Sequence, residues 1–115
     1  MPRPPSDILL VMTTLPDAES GRRLAALLVE NGLAACVNVL APCHSVYRWQ
    51  GKMETAEETP LLIKTRAGRY AEVEAAIRAR HPYELPEIIA LPLAEGLPAY
   101  LDWVGKETEK TCTTC

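Results

Sequence analysis

Among the histidines and cysteines of this sequence, His81 and Cys36 are the leading candidates for ligands of a transition metal. Neutral imidazole binds copper and zinc, and a thiolate is the soft ligand that Cu(I) favours. Each residue also has a purely structural interpretation. A histidine at a helix C-terminus, beside rigid Pro82, is favoured by the helix dipole alone, and a free cysteine in a strand is commonly a small buried apolar residue. His81 and Cys36 are therefore candidate metal ligands, with the structural alternative left open.

A second group of residues combines aromatic rings, two carboxylates and one ammonium group. Lys64 follows three apolar strand residues, so we expect its ammonium at the end of a strand rather than on a coil. Carboxylates and rings near that ammonium would recognise a small anion or zwitterion. The alternative is a cluster of ion pairs and stacked rings that holds subunits in register. The members of this candidate intersubunit cleft are Tyr47, Trp49, Lys64, Tyr83, Glu84 and Glu87.

The C-terminal end carries two cysteines, Cys112 and Cys115, in C-x-x-C spacing. A redox motif of this type normally begins a helix that follows a strand, because the helix dipole then activates the first thiol. A chain end offers no such helix. We therefore expect a polar tail there rather than a redox or zinc site.

Hydrophobic periodicity predicts alternating strands and helices that position these residues. Asp17 is a typical helix N-cap, and Asn31-Gly32 is a typical helix end. Gln50-Gly51 has the composition of a tight hairpin turn, and Pro42 and Pro60 indicate edges or bulges. The predicted elements are a strand at 8–12, a helix at 17–31, a strand at 34–40, hairpin arms at 45–49 and 52–59, a strand at 61–65, a helix at 69–80, a strand at 87–92 and a short helix from Pro98.

This order of elements predicts an α+β fold of the ferredoxin-like, split βαβ type. Two helices would cover one face of a four-stranded antiparallel sheet. We expect a single domain over 1–115, with its core at about 7–105 and a tail at 106–115. The other face has only the last helix to cover it, so we expect that face, and the polar arm 52–59, to meet other subunits.

The composition excludes several classes of protein. With 115 residues, of which 48% are hydrophobic and 23% charged, the chain is neither disordered nor fibrous. A net charge of −3 leaves no uncompensated basic surface for nucleic acid. No apolar run approaches the roughly 20 residues of a membrane span, and residues 1–7 lack the apolar stretch of a signal peptide. We therefore expect a cytoplasmic protein that binds neither nucleic acid nor membranes.

Six segments, in this order, resemble those of the divalent-cation tolerance family, the CutA-type proteins. Any one of them is a weak signal, whereas six in order form a specific pattern that covers the chain from Ile8 to about Val104. The segments are Thr14-Leu15-Pro16-Asp17, Leu33-Ala34-Ala35-Cys36-Val37-Asn38, Ser45-Val46-Tyr47-Arg48-Trp49-Gln50-Gly51-Lys52, Leu62-Ile63-Lys64-Thr65, His81-Pro82-Tyr83-Glu84-Leu85-Pro86-Glu87-Ile88 and Tyr100-Leu101-Asp102-Trp103.

The resemblance implies a homotrimer similar in architecture to the PII signalling proteins, in which a long hairpin reaches a neighbouring subunit. It also implies a role in tolerance to copper and other divalent cations, with no required cofactor and no established enzymatic reaction. The chain itself shows no nucleotide-binding, hydrolase or zinc-protease motif, so we predict that it is not an enzyme. The alternative function is that of a trimeric sensor or adaptor, which binds a small metabolite or a partner protein in its intersubunit clefts.

The chain departs from the family pattern at two positions that concern metal binding. Some members carry a second histidine immediately before the position of His81, and a cysteine at the end of the first strand. Here those positions hold Arg80 and Thr13. A guanidinium group has no lone pair with which to ligate a metal, so the departure argues against a complete family-type copper site in this chain.

Overall fold

The computed structural model describes residues 7–110, and the cysteine pair Cys112 and Cys115 lies outside the described residues. The predicted order of elements is confirmed. A 3-10 turn at Ala67–Arg69 leads into the second helix. The elements are β1 (Ile8–Leu15), α1 (Ala18–Glu30), β2 (Cys36–Val39), β3 (Cys43–Trp49), β4 (Lys52–Arg66), α2 (Tyr70–Arg80), β5 (Ile88–Pro92) and α3 (Pro98–Glu107).

The strands form an antiparallel sheet in the order β2-β4-β1-β5, and β3 pairs with a further part of β4. Alternate residues of β1 and β4, such as Val11 and Ile63, are fully buried beneath the helices. They form one core with Leu24 from α1 and with Val73 and Ile77 from α2. The predicted α+β class, with helices on one face of an antiparallel sheet, is thus confirmed.

The first helix and the hairpin turn follow the local sequence closely. The side chain of Asp17 accepts a 2.7 Å hydrogen bond from the backbone N–H of Ser20, which makes Asp17 the N-cap of α1. Gly32, just beyond α1, has a φ of 68°. Gln50 and Gly51 both have positive φ, 50° and 81°, as a two-residue type I′ turn requires.

The main difference from the sequence prediction lies in β4. We expected a polar arm and a separate buried strand with an interruption at Pro60, whereas β4 is one strand of 15 residues. Pro60 lies opposite Thr14, and its carbonyl accepts a 3.0 Å hydrogen bond from the N–H of Leu40, so pairing continues through the proline. Because β4 continues, β1 also extends past its predicted end at Met12 to Leu15.

The helix α3 covers one end of the opposite sheet face, which we call the bare face. Arg66 donates a hydrogen bond to the carbonyl of Gly105, and Arg69 donates one of 3.0 Å to the carbonyl of Thr108. These two arginines fix the C-terminal end of α3, and the helix continues two residues past the predicted core boundary at 105. None of the helices within residues 7–110 has the length and hydrophobicity needed to cross a bilayer.

The rest of the bare face is apolar and open to solvent in the single chain. Ile89 and Leu91 of β5 are 49% and 51% exposed. They pair with Met12 and Leu10 of β1, which are half-buried. An apolar surface of this kind is unusual for a monomer and is typical of a surface that contacts another molecule.

Two buried threonines give a matched test of this core. Thr65 donates a 2.6 Å hydrogen bond to the carbonyl of Leu33, whereas the hydroxyl of Thr13 has no partner among the described residues. We expect Thr65→Val to lower the free energy of unfolding by about 1–2 kcal/mol, because it leaves a carbonyl unsatisfied. Thr13→Val should leave that free energy unchanged or raise it. Urea denaturation at one protein concentration measures both, and equal losses in the two variants would contradict this assignment.

Candidate functional site

A cleft of about 810 Å³ opens between the β3–β4 hairpin and the segment that connects α2 to β5. It contains five of the six residues predicted for the candidate cleft, and we refer to it below as the hairpin cleft. The walls combine three aromatic rings with three carboxylates and one guanidinium group. The lining residues are Thr14, Ser45, Val46, Tyr47, Arg48, Trp49, Glu58, Tyr83, Glu84, Leu85, Pro86 and Glu87.

Lys64 is the predicted cleft residue that the structure places elsewhere. Its ammonium group hydrogen-bonds the side-chain oxygen of Asn38 and lies 3.9 Å from the sulfur of Cys36. The cause is the strand register, since Lys64 pairs with Cys36 of β2. It lies six residues along β4 from Glu58, or about 20 Å at the rise of an extended strand. The ammonium that we expected beside the aromatic rings therefore belongs to the bare face.

Glu58 is the acidic residue of the cleft that was not predicted from the sequence. Its carboxylate accepts a 3.3 Å hydrogen bond from the hydroxyl of Thr14, and the hydroxyl of Tyr83 is placed to donate a second one. The residue is only 8% exposed, although it lies in a segment that we expected to be a polar arm. Strand alternation is the signal that could have found it. Thr59 faces the helices, so the residue before it must face the other side, next to Thr14.

The phenol of Tyr83 is held in its protonated form. Burial raises the pKa of this phenol, and the hydrogen bond to Glu58 together with the charges of Glu58 and Tyr47 raises it further. At neutral pH the phenol of Tyr83 therefore keeps its proton, directs its O–H towards the Glu58 carboxylate and adds no negative charge of its own. The negative charge at the base of the hairpin cleft is that of Glu58.

His81 contacts the backbone through both of its ring nitrogens. Nε2 lies 2.6 Å from the carbonyl oxygen of Thr14, and Nδ1 lies 3.2 Å from the backbone nitrogen of Tyr83. A carbonyl only accepts and an N–H only donates, so the ring is neutral, with its proton on Nε2. The ring also packs against that of Tyr83, with centroids 4.7 Å apart.

Thr14, Glu58, Tyr83 and His81 together form a closed circuit of hydrogen bonds, which we call the Thr14 ring. The side chain of Thr14 binds Glu58, Glu58 binds the hydroxyl of Tyr83, the N–H of Tyr83 binds His81, and His81 binds the carbonyl of Thr14. The circuit ties the end of β1, the middle of β4 and the chain after α2 to one another. It thereby holds in place the wall of the cleft that lies opposite the β3–β4 hairpin.

Cys36 lies in a different part of the molecule. It is a free, half-buried thiol next to Lys64, and the hydroxyl of Tyr100 from α3 also contacts it. Burial raises the pKa of the Tyr100 phenol, and the contact with Cys36 raises it further. Lys64 pairs with Leu10, four residues along β1 from Thr14, which is about 13 Å. Within one chain, Cys36 and His81 do not belong to the same site.

In the part of the chain that the structure describes, the donor atoms of one chain do not form a complete metal site. Within residues 7–110, no three side chains among His, Cys, Asp and Glu converge on one point. Two side chains with the chemistry of metal ligands both bind Thr14, Glu58 at its hydroxyl and His81 at its carbonyl. Structural zinc sites have four protein ligands and catalytic ones three. A metal bound at this pair would therefore need further ligands from water or from a second copy of the chain.

Known proteins resemble this chain in both sequence and structure. A family model, that of the CutA1 divalent ion tolerance protein, matches residues 9–107. The divalent-cation tolerance protein CutA of Thermus thermophilus is 44% identical over 99 residues, which are 86% of this chain and 96% of that protein. The chloroplastic protein CutA 1 of Oryza sativa is 40% identical over 90% of this chain, which spans only 58% of that longer protein.

Solved structures agree with this result. The crystal structure of CutA from Xylella fastidiosa is 45% identical and superposes with a TM-score of 0.87, covering 90% of this chain and all of that one. The periplasmic divalent cation tolerance protein CutA from Archaeoglobus fulgidus is 39% identical and superposes with a TM-score of 0.85, covering 89% of this chain and 99% of that one. By sequence and by structure, this chain belongs to the CutA1 divalent ion tolerance protein family.

Proposed function

We propose that this protein is a homotrimer of PII-like architecture that binds a divalent cation, copper foremost, and acts in metal tolerance without enzymatic activity. Membership of the divalent ion tolerance family supports the role. The observation that carries the cation-binding proposal is the buried carboxylate of Glu58 in the hairpin cleft. Its two hydrogen-bond partners, Thr14 and Tyr83, are both hydroxyl groups.

The electrostatics of Glu58 favour a bound cation. None of the ion pairs within residues 7–110 includes this carboxylate. A charge taken out of water without an opposite charge costs several kcal/mol in an apolar interior, so a cation beside it is stabilising. Two further carboxylates line the cleft, Glu84 and Glu87, against the single guanidinium of Arg48. The cleft therefore attracts cations.

His81 has an orientation that is typical of metal-ligating histidines. Such histidines usually donate the N–H of their other ring nitrogen to a carboxylate or a backbone carbonyl, which fixes the tautomer. Nε2 of His81 does this with Thr14, and Nδ1 keeps the lone pair. We propose that Nδ1 exchanges the N–H of Tyr83 for the metal, beside Glu58. Cys36 is proposed as a separate soft ligand for Cu(I), in copies gathered around a three-fold axis.

The apolar bare face supports the homotrimer, because a lone chain would leave Ile89 and Leu91 exposed to water. The projecting hairpin supports it too, since no strand among residues 7–110 lies beside the outer edges of β3 and of the first half of β4. We also propose a cytoplasmic location. The family is not tied to one compartment, since the Archaeoglobus relative is named periplasmic and the plant relatives chloroplastic.

A second candidate function is that of a trimeric sensor or adaptor for a small molecule. The observation that favours it is the set of aromatic rings in the hairpin cleft, Tyr47, Trp49 and Tyr83. A metal ion has no need of these rings, whereas sites for small organic molecules are typically lined by them. Metal binding and small-molecule binding would then depend on different walls of one cleft.

Metal binding is tested by titrating Cu(II) and Zn(II) into the full chain with both Cys112 and Cys115 replaced by serine. That background removes two thiols that would capture copper by themselves. We expect Glu58→Gln and His81→Ala each to weaken binding of the metal by at least about tenfold. Removal of a residue that only hydrogen-bonds a metal ligand already weakens binding by this much. Calorimetry gives the affinities.

Glu19→Gln is the matched control for this titration, because it removes the same charge from an exposed position on α1. Its affinity should equal that of the parent. If Glu58→Gln and His81→Ala also bind copper as the parent does, the cation is not held at the Thr14 ring. A loss confined to Cu(I) in Cys36→Ala would then place copper on the bare face.

The homotrimer is tested by light scattering on two variants, each of which introduces one charge. Assembly would bury the new charge of the first variant and leave that of the second exposed. Ile89 on the bare face and Val29 on α1 are similarly exposed in the single chain, 49% and 45%. We expect a trimer mass for the parent and for Val29→Asp. Ile89→Asp should dissociate at micromolar concentration, because assembly would bury its carboxylate in an apolar contact. A monomer mass for the parent protein would contradict the proposal.

A further inference from the structure

We infer that the hairpin cleft binds a small organic cation, with its ammonium group on Glu58 and its apolar part between the rings of Tyr47, Trp49 and Tyr83. This goes beyond binding of a divalent cation. It rests on the second candidate function, small-molecule binding, and specifies the chemical class of the ligand.

The charges of the cleft select a cation. From the sequence we expected a small anion or zwitterion, because Lys64 was placed among the rings. The structure puts Lys64 on the bare face, in contact with Asn38 and Cys36. The charged groups that remain in the cleft are the carboxylates of Glu58, Glu84 and Glu87 and the guanidinium of Arg48. Within one chain, the charge of the cleft is therefore opposite in sign to the one expected.

Glu58 has the properties of an anchor for an ammonium group. An ionised carboxylate offers about four lone-pair positions, and the hydroxyls of Thr14 and Tyr83 occupy two of them. Both hydroxyls are neutral donors, so they orient the carboxylate without cancelling its charge. The residue is almost fully buried and lines the cleft, so an N⁺–H···O⁻ bond formed there is shielded from water.

The aromatic walls account for the organic part of the ligand. Tyr47, Trp49 and Tyr83 are all partly exposed in the single chain, so their rings have surface left for a ligand. Trp and Tyr faces attract cations within about 6 Å of the ring centre. The cleft, about 810 Å³, falls within the roughly 300–1,000 Å³ of small-molecule sites and is far larger than a metal ion.

Three probes of similar shape and different charge test this inference by calorimetry. They are 2-phenylethylamine, 2-phenylethanol and 3-phenylpropionate, which are cationic, neutral and anionic. We expect the amine to bind at least about tenfold more tightly than the alcohol, as a hydrogen bond to a charged group would give. The phenylpropionate should not bind.

Variants assign the amine to the residues of the cleft. Glu58→Gln should weaken binding of the amine by at least about tenfold, since the charge-assisted bond is lost while the shape is kept. Trp49→Leu should weaken binding of the amine several-fold, because one aromatic ring is lost. Calorimetry measures this affinity. Glu19→Gln, the exposed control on α1, should bind the amine as the parent does.

The same variants separate this inference from the proposed metal site. Trp49→Leu should lose affinity for the amine and keep its affinity for Cu(II), whereas His81→Ala should lose Cu(II). If Glu58→Gln does not fold, as judged by circular dichroism, Tyr47→Leu replaces it, because that ring is on the exposed hairpin.

Three results would overturn the inference. One is binding of phenylpropionate as tight as that of the amine, and another is an unchanged amine affinity in Glu58→Gln. The third is absence of amine binding to the parent protein at millimolar concentration, as expected if a basic side chain of a second copy already occupies Glu58.

Discussion

The antiparallel pairing of one long strand, β4, with β1, β2 and β3 is the interaction on which the rest of the structure depends. Its second half lies inside the sheet, where Leu61 and Ile63 are buried under both helices. Its first half leaves the sheet to form the hairpin with β3. Glu58 lies at the junction of the two halves, opposite the end of β1. The pairing register of β4 therefore determines the positions of the core, the hairpin and the cleft.

Much of the fold was predictable because its signals are local. The cap at Asp17, the helix end at Asn31-Gly32 and the turn at Gln50-Gly51 each depend on a few neighbouring residues. The continuity of β4 was not predictable, because the effect of a proline on a strand depends on which neighbour its nitrogen faces. Here the pairing of β4 continues through Pro60, and nothing in the local sequence reveals that it does.

The sequence predicted which aromatic residues lie in the candidate site, but not which charged residue of β4 lies there. The resemblance to a known family and the residue types placed Tyr47, Trp49 and Tyr83 in one cleft, and the structure brings them together. Within one chain, two residues of β4 differ from that prediction. Lys64 was placed in the cleft and Glu58 was left out, because strand register determines which side chains are neighbours. Exchanging an ammonium for a buried carboxylate reverses the charge that the cleft accepts.

The Thr14 ring links the two activities that we propose. Its carboxylate would hold a metal ion together with His81, or an ammonium group together with the aromatic walls. Residues 7–110 of one chain contain no full set of metal ligands, although the chain belongs to a divalent ion tolerance family. A metal held by Glu58 and His81 would therefore take its other ligands from water or from a second copy of the chain.

The central claim, that Glu58 is the group on which a bound cation rests, is tested most directly by carbon NMR of the protein labelled at glutamate carboxyl carbons. The resonance of Glu58 is assigned by its disappearance in Glu58→Gln. We predict that diamagnetic Zn(II) and an organic amine each shift this resonance in a saturable manner, while those of exposed glutamates such as Glu19 stay in place. A Glu58 resonance that neither cation moves would contradict the account.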